Sequence, residues 1–257
     1  MSRTAGFRKR MRDGAPTIGT FVKTRDHALT EVLGLSRLDT IVLDGEHAPY
    51  DRAHLVTCIL AARAADLPCL VRVPSAAPEA ILAPLDMGAV GVVVPHVRDV
   101  ATAEAVARAC HYGAGGRGYA GSPRAAGYAT KPMADHLRDC AAETTVVAQI
   151  EDPEAVEAID AIAAVEGIDA LFIGRVDLTV SYGADSVNAK VVEDAIIRVC
   201  QAARQHNRTV GLFLANTDEV AFWIERGVSF FLIGSDHGFV LAGANTLAER
   251  FAAAVPR

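Results

Sequence analysis

The sequence predicts a (β/α)₈ barrel of the TIM type. Eight short runs rich in β-branched and apolar residues alternate with segments of helical spacing, and this alternation favours right-handed βαβ units and a parallel sheet. A chain of 257 residues has a normal length for one such barrel. We therefore predict one domain over residues 1–257, with a doubly wound open sheet as the alternative.

The predicted strands are short and are bounded by turn residues. They span residues 17–22, 39–43, 68–73, 90–94, 145–150, 169–173, 209–214 and 229–233. The clearest helices are rich in Ala and Arg and have Asp or Asn near their starts. They span residues 51–65, 99–111, 189–206 and 243–254.

A long segment, 112–144, interrupts this alternation. Its glycine-rich part matches G-x-G-x-x-G at Gly116, Gly118 and Gly121, but the match follows a helix, whereas a dinucleotide fingerprint follows a strand. We therefore reject a dinucleotide site. A loop after a helix begins at the amino end of the barrel, so we expect this segment to serve stability or oligomer contacts.

Composition narrows the class of ligand. The formal net charge is −6 and the sequence pI is about 5.7, which argues against nucleic acid as a partner. No stretch approaches the ~18 apolar residues that a membrane span needs, and no apolar run follows the basic RKRMR near the N-terminus. We therefore expect a cytoplasmic protein that binds no membrane and takes a small molecule as its ligand.

Charged side chains follow the second and third predicted strands at their carboxyl ends, where barrels of this type carry their active sites. The motif LDGEH brings Asp44, Glu46 and His47 together, and an imidazole beside a carboxylate transfers protons near neutral pH. Arg72 alternates with two valines, which directs its side chain toward the barrel mouth. There it binds a carboxylate or an oxyanion, or it forms a structural pair with Glu46.

Two further carboxylates follow the fifth and sixth strands, Glu151 in QIED and Asp177 in FIGRVDL. Carboxylates from adjacent strands form a site for a hard cation, which fills its shell with water and substrate oxygens. The alternative is that they cap helices or pair with Arg175. Gly174 lets a ligand approach the backbone closely, and the amides of Val176 and Asp177 can receive a carboxylate at a short helix start.

The motifs LDGEHAPYD, VRVP, LDMGAVGVVVPHV, QIED and FIGRVDLT occur in this order over nearly the whole chain. Together they resemble the HpcH/HpaI family of metal-dependent, class II pyruvate aldolases. The resemblance implies reversible cleavage of a 4-hydroxy-2-oxo acid to pyruvate, or hydroxypyruvate, and an aldehyde. It also implies a divalent ion (Mg²⁺, Mn²⁺ or Co²⁺) and a homo-oligomer, a trimer of dimers with an exchanged C-terminal helix, here 243–254.

By position, the resemblance also implies residue roles. Glu151 and Asp177 bind the metal, and Arg72 contacts the ketone or enolate oxygen. The substrate carboxylate lies along Gly174, Val176 and the amide of Asp177.

The remaining implied roles concern proton transfer and specificity. His47 moves the proton, with Asp86 of LDMGA as its partner and Asp44 nearby. Gln149 of QIED joins the substrate-binding set. Arg175 stands where we expect a proline, so we predict an additional cation beside the carboxylate pocket and a preference for acidic or more oxygenated ligands.

Three other interpretations stay open. A Schiff-base aldolase needs an inward lysine at a strand end, and of the four lysines only Lys23 qualifies. Relatives with the same fold cleave CoA thioesters of 3-hydroxy acids, although no basic patch for CoA is evident. The third interpretation is a barrel that has lost catalysis and only binds a ligand.

Overall fold

The computed structural model describes residues 2–255. Within this range the strands are β1 (Thr17–Val22), β2 (Thr40–Asp44), β3 (Cys69–Arg72), β4 (Gly91–Val94), β5 (Thr145–Ile150), β6 (Ala170–Ile173), β7 (Thr209–Leu214) and β8 (Val228–Ser235). All pair in parallel with their neighbours in sequence, and β1 closes against β8. The prediction of a (β/α)₈ barrel is confirmed, and the open-sheet alternative is wrong.

Helices connect the strands around the outside of the barrel. They are α1 (Phe7–Arg12), α2 (His27–Gly34), α3 (Arg52–Ala64), α4 (Pro78–Met87), α5 (Val100–Cys110), α6 (Met133–Glu143), α7 (Pro153–Glu157), α8 (Ile159–Ala164), α9 (Arg175–Ser181), α10 (Lys190–Gln205), α11 (Val220–Ile224) and α12 (Asp236–Ala254). Aspartate caps explain some of the starts: Asp51 and Asp99 accept the N–H three residues later at 2.8 and 2.7 Å.

The segment 112–144 differs from the continuous loop that we expect from the sequence. It contains a 3₁₀ turn at Arg124–Ala126 and the helix α6. Glu143, at the end of α6, accepts the backbone N–H of Gly6 at 3.2 Å, so this segment contacts the start of α1 at the amino end of the barrel.

Alternate strand residues fill the barrel interior. The inward apolar cluster consists of Phe21, Val42, Leu70, Val93, Val147, Ala170, Phe172, Phe230 and Leu232, with Phe7 and Met11 of α1 closing the amino end. On four strands, the residue two positions after an inward apolar residue is polar and also points inward. These polar residues are Lys23, Asp44, Arg72 and Gln149. The fold therefore places a layer of polar residues at the carboxyl end of the barrel, next to the apolar interior.

The last helix, α12, projects apolar residues into solvent. Phe239, Leu241, Leu247 and Phe251 are each at least 45% exposed, and Asp236 is the buried residue of this helix. Large exposed apolar patches are typical of interaction surfaces. Among residues 2–255, however, no helix combines the length and the hydropathy that crossing a membrane requires.

Candidate active site

A cavity of about 300 Å³ opens at the carboxyl ends of the strands. Aromatic rings form part of its wall, and those of Phe21 and Phe172 meet edge to face at a centroid distance of 6.2 Å. Most of the predicted site residues border this cavity. They are His47, Arg72, Gln149, Gly174, Arg175, Val176 and Asp177.

Arg72 and Asp44 form a buried, bidentate ion pair beside the cavity. Arg72 Nε and Nη2 donate to the two carboxylate oxygens of Asp44 at 3.0 and 2.8 Å, and Arg72 Nη1 lies 3.3 Å from Glu46 Oε2. Burial raises the pKa of Asp44, but the hydrogen bonds and charge of Arg72 outweigh it and lower that pKa overall. Asp44 therefore stays ionised and orients the guanidinium.

The turn after β2 places His47 at the cavity edge. Asp44 Oδ1 accepts the backbone N–H groups of Glu46 and His47 at 3.3 and 3.1 Å. Gly45 is required in this turn, because a β-carbon there would lie 2.7 Å from the carbonyl oxygen of Arg72. The imidazole of His47 is 55% exposed, and its Nε2 lies 3.9 Å from Glu46 Oε2. Glu46 is thus a carboxylate neighbour of His47 within the chain.

Glu46, His96 and Glu151 bring possible metal ligands together. One ligand atom of each residue lies within 4.8 Å of the other two. Glu151 is buried, and it accepts the backbone N–H of His96 at 2.8 Å and the amide N–H of Gln149. Burial raises the pKa of Glu46 by more than the charge of Arg72 lowers it. Two carboxylates and an imidazole are a donor set that suits a divalent cation.

The sequence motifs assign no role to His96, and the structure places it in this cluster. His96 follows β4 with a left-handed backbone, φ 53°, which is uncommon for a residue with a side chain. Its Nδ1 lies 3.0 Å from Asp152 Oδ2. Burial lowers the pKa of His96, but the hydrogen bond to Asp152 and the charge of Glu151 raise it overall. The available signal is that β4 and β5 are neighbours and that His96 and Glu151 each follow one of these strands within two residues.

The start of α9 forms the adjoining wall. A β-carbon at Gly174 would lie 2.7 Å from Glu151 Oε2, so glycine allows this carboxylate its place. Asp177 is half-buried and borders the cavity, although it lies outside the three-residue cluster. Gln149 is 1% exposed, and its Oε1 has no hydrogen-bond partner among residues 2–255. Carboxylates beside an unpartnered amide oxygen fit a divalent cation at this wall.

The sequence and the fold both match known proteins. The profile of the HpcH/HpaI aldolase/citrate lyase family matches residues 17–242. This chain belongs to that family. The resemblance inferred from the ordered motifs is confirmed, and the chain is an enzyme of the HpcH/HpaI aldolase family.

Individual relatives agree with this assignment. A 5-keto-4-deoxy-D-glucarate aldolase of Enterobacter sp. (strain 638) is 34% identical over 224 residues, 86% of this chain and 87% of the relative. A 4-hydroxy-2-oxovalerate aldolase of Rhodococcus jostii (strain RHA1) is 34% identical over 248 residues, 96% and 95% of the two chains. The crystal structure of an HpcH/HpaI aldolase/citrate lyase family protein from Burkholderia cenocepacia J2315 superposes with a TM-score of 0.91 at 28% identity, covering 97% of this chain and 100% of that one.

Arg175 of this HpcH/HpaI enzyme borders the cavity, and its side-chain donors bind other parts of the chain. Its Nε donates to the carbonyl of Val187 at 3.0 Å, its Nη1 donates to Glu219 at 2.9 Å, and its Nη2 donates to Asn188. The guanidinium carbon also lies 5.6 Å from the ring centroid of Trp223. These partners lie in the loop before α10 and at the start of α11, and Glu219 balances the charge of Arg175. The effect of Arg175 on ligand preference stays a prediction.

Asp86 lies far from the position that the family resemblance implies. It occupies the last turn of α4, which leads into β4, so it stands at the amino end of the barrel. Its carboxylate pairs with Arg117, whose guanidinium carbon lies 4.7 Å from the ring centroid of Tyr112. His47 stands at the opposite, carboxyl end. The structure therefore does not form an Asp86–His47 pair within one chain, and such a contact requires a second copy.

Proposed function

We propose that this enzyme is a metal-dependent class II aldolase that reversibly cleaves 4-hydroxy-2-oxo acids to pyruvate, or hydroxypyruvate, and an aldehyde. The observation that carries the proposal is that the guanidinium of Arg72, the exposed imidazole of His47 and the carboxylate Asp177 line one cavity at the carboxyl ends of the strands. The cluster of Glu46, His96 and Glu151 lies beside it, next to Arg72 and Gly174. Two relatives are named as aldolases of oxo acids, which supports the same reaction class.

Glu151 and Asp177 are the residues that we assign to a divalent cation, Mg²⁺, Mn²⁺ or Co²⁺. Glu46 and His96 lie beside Glu151 and extend the donor set. Carboxylate oxygens suit these hard ions. When bound, the cation stabilises the negative charge that develops on the ketone oxygen as the C3–C4 bond breaks.

Arg72 acts on the same oxygen. Of its five N–H donors, two bind Asp44 and a third faces Glu46, so two remain for a substrate oxygen. Because Asp44 already fixes the guanidinium, little reorganisation is needed when the enolate charge appears.

The other polar groups hold the substrate and move its proton. The turn from Gly174 to Asp177 receives the substrate carboxylate, because the first N–H groups of a helix lack partners within the helix. The unpartnered Oε1 of Gln149 accepts from a substrate hydroxyl. His47 stands exposed at the edge and exchanges the proton of the 4-hydroxyl group.

Metal removal tests this function. The release of pyruvate or hydroxypyruvate from racemic 4-hydroxy-2-oxo acids is followed with a coupled reductase. We expect EDTA to abolish turnover, and Mg²⁺, Mn²⁺ or Co²⁺ to restore it. Turnover that resists EDTA and yields a borohydride-trapped adduct would favour a Schiff base on Lys23. Absence of turnover with every metal would favour a CoA-thioester lyase or a binding protein.

We also propose that α12 packs against a second copy of the chain, in a trimer of dimers. Its phenylalanines and leucines stay 45–70% exposed in a single chain. Light scattering is expected to give about 163 kDa, the mass of six chains of 27.1 kDa. The double substitution Leu247→Asp and Phe251→Asp should lower this mass, because charges then replace apolar contacts.

The matched control for this prediction is Leu35→Asp. Leu35 is 88% exposed and lies outside α12, so its substitution should leave the mass unchanged. A wild-type mass of one chain would contradict the proposed assembly.

A further inference from the structure

Lys23 occupies a fixed position on the cavity wall. It follows Phe21 in the inward alternation of β1 and borders the cavity, whereas Val22 faces the helices. The buried carboxylate of Asp236 accepts the backbone N–H groups of Lys23 and Thr24 at 2.9 and 2.8 Å. The fold therefore fixes the backbone from which the lysine side chain enters the cavity.

The ammonium group of Lys23 lacks a hydrogen-bond acceptor in the described part of the chain, residues 2–255. It lies 3.6 Å from Asp44 Oδ2, beyond hydrogen-bonding distance. Three of the four N–H groups that Asp44 accepts bind Oδ1, and the fourth, from Arg72 Nη2, binds Oδ2. Lys23 is therefore an ion-pair neighbour of Oδ2 without a hydrogen bond to it. The Lys23 side chain is 33% exposed, so its three N–H donors are available to a ligand.

Barrel geometry places Lys23 opposite the metal-binding wall. In a closed barrel in the order β1 to β8, β1 lies four strands from β5 in either direction. Glu151 follows β5 and Asp177 stands just beyond β6. We expect a 2-oxo acid held at that wall to extend its far end toward β8 and β1. The cavity residues on β8 and just after β1 are Gly234, Ser235 and Lys23. Among these three, Lys23 carries a charge.

We infer that Lys23 determines acceptor specificity by pairing with an anionic group, a carboxylate, at the far end of the aldehyde. This inference rests on the proposed aldolase function. The substrates that it favours are 4-hydroxy-2-oxo acids with a second carboxylate beyond the bond that breaks. We expect the acidic preference to come from Lys23, because the guanidinium of Arg175 already pairs with Glu219.

The test uses pyruvate as the donor and a matched pair of acceptors, 4-oxobutanoate and its neutral isostere 4-oxobutanamide. The metal-loaded wild type should prefer the anionic acceptor in kcat/KM. In Lys23→Gln the ratio of the two values should fall about 10- to 100-fold, the range for a hydrogen bond to a charged group. Lys23→Arg should keep most of the ratio, because it retains the positive charge.

The control is Lys190→Gln. Lys190 is 86% exposed and pairs with Asp194 on α10, so its removal should not alter the ratio. An unchanged ratio in Lys23→Gln would overturn the inference but leave the aldolase function standing. Loss of both acceptors in Lys23→Gln would also overturn it, since Lys23 would then act on catalysis as a whole. A wild type that is inactive with both acceptors would instead overturn the aldolase function.

Discussion

Glu151→Gln is expected to lower kcat/KM at least about 1,000-fold and to remove the thermal stabilisation that added metal provides. Such a loss corresponds to roughly 4 kcal/mol of transition-state stabilisation, a reasonable share for a cation that neutralises a developing oxyanion. The pyruvate-release assay and a thermal melt with and without Mn²⁺ measure the two effects. Metal at about 100 times its Kd should raise the wild-type melting temperature by roughly 5–11 °C.

The local contacts indicate that this variant folds. Gln has the size of Glu, and its amide oxygen can still accept the backbone N–H of His96, as Glu151 does at 2.8 Å. Its new N–H₂ group would face the amide N–H of Gln149. Gln149 can turn its amide so that Oε1, which has no partner in the described chain, accepts it. The variant therefore removes a charge and can accommodate the new amide, but the turned N–H₂ group of Gln149 then lacks an acceptor, at a cost of about 1–3 kcal/mol.

Glu154→Gln is the matched control for this prediction. Glu154 is exposed on α7, three residues beyond Glu151, and should retain both activity and the metal-induced stabilisation. If Glu151→Gln keeps the metal-induced shift, the cation does not bind at this carboxylate. If it loses the shift but keeps turnover, the reaction does not need the metal.

The sequence predicts the barrel well because its signal is periodic and local. Strand runs between helical segments locate β1, β5 and β7 with the observed bounds and the other strands within two residues. The helices at 51–65, 99–111 and 189–206 agree to within one residue at each end. The last helix begins at Asp236, earlier than predicted at 243–254, since GSDHG carries the glycines and polar residues of a turn although it continues into a helix.

The candidate site is predictable where strand alternation determines direction. Arg72 and Asp44 enter the cavity region because each lies two residues beyond an inward apolar residue, Leu70 or Val42. Contacts that cross between strands are beyond this reasoning. The contact between His96 and Glu151 depends on the left-handed backbone of His96 after β4. No local sequence pattern predicts that conformation.

The contacts of Arg175 and Asp86 show what sequence motifs omit. Arg175 belongs to a motif that borders the cavity, yet its side chain pairs with Glu219, which lies 44 residues later in the chain. A motif does not give such a long-range partner. Asp86 lies in the last turn of α4, at the amino end of the barrel. Its motif identifies the family, but it does not show at which end of the barrel the carboxylate lies.

Arg72→Lys is expected to lower kcat about 100- to 1,000-fold, as removal of a preorganised donor to an oxyanion does, with a smaller change in KM. Lysine keeps the positive charge, but it cannot bond both oxygens of Asp44 and also reach the substrate. Initial rates over a range of substrate concentrations separate kcat from KM.

The control is Arg108→Lys, a substitution of an exposed arginine that pairs with Glu104 on α5 at 3.6 Å. It should leave both constants unchanged. Wild-type turnover in Arg72→Lys would mean that Arg72 serves only as the counter-ion of Asp44.

A comparison with Arg72→Met separates the catalytic and the structural roles of this arginine. Methionine leaves Asp44 fully buried with only Lys23 nearby, at 3.6 Å, and loss of one partner of a buried pair costs about 3–5 kcal/mol. The melting temperature should therefore fall by roughly 6–20 °C, and by much less in Arg72→Lys. If both variants lose activity but only Arg72→Met loses stability, the geometry of the guanidinium, and not its charge alone, supports the chemistry.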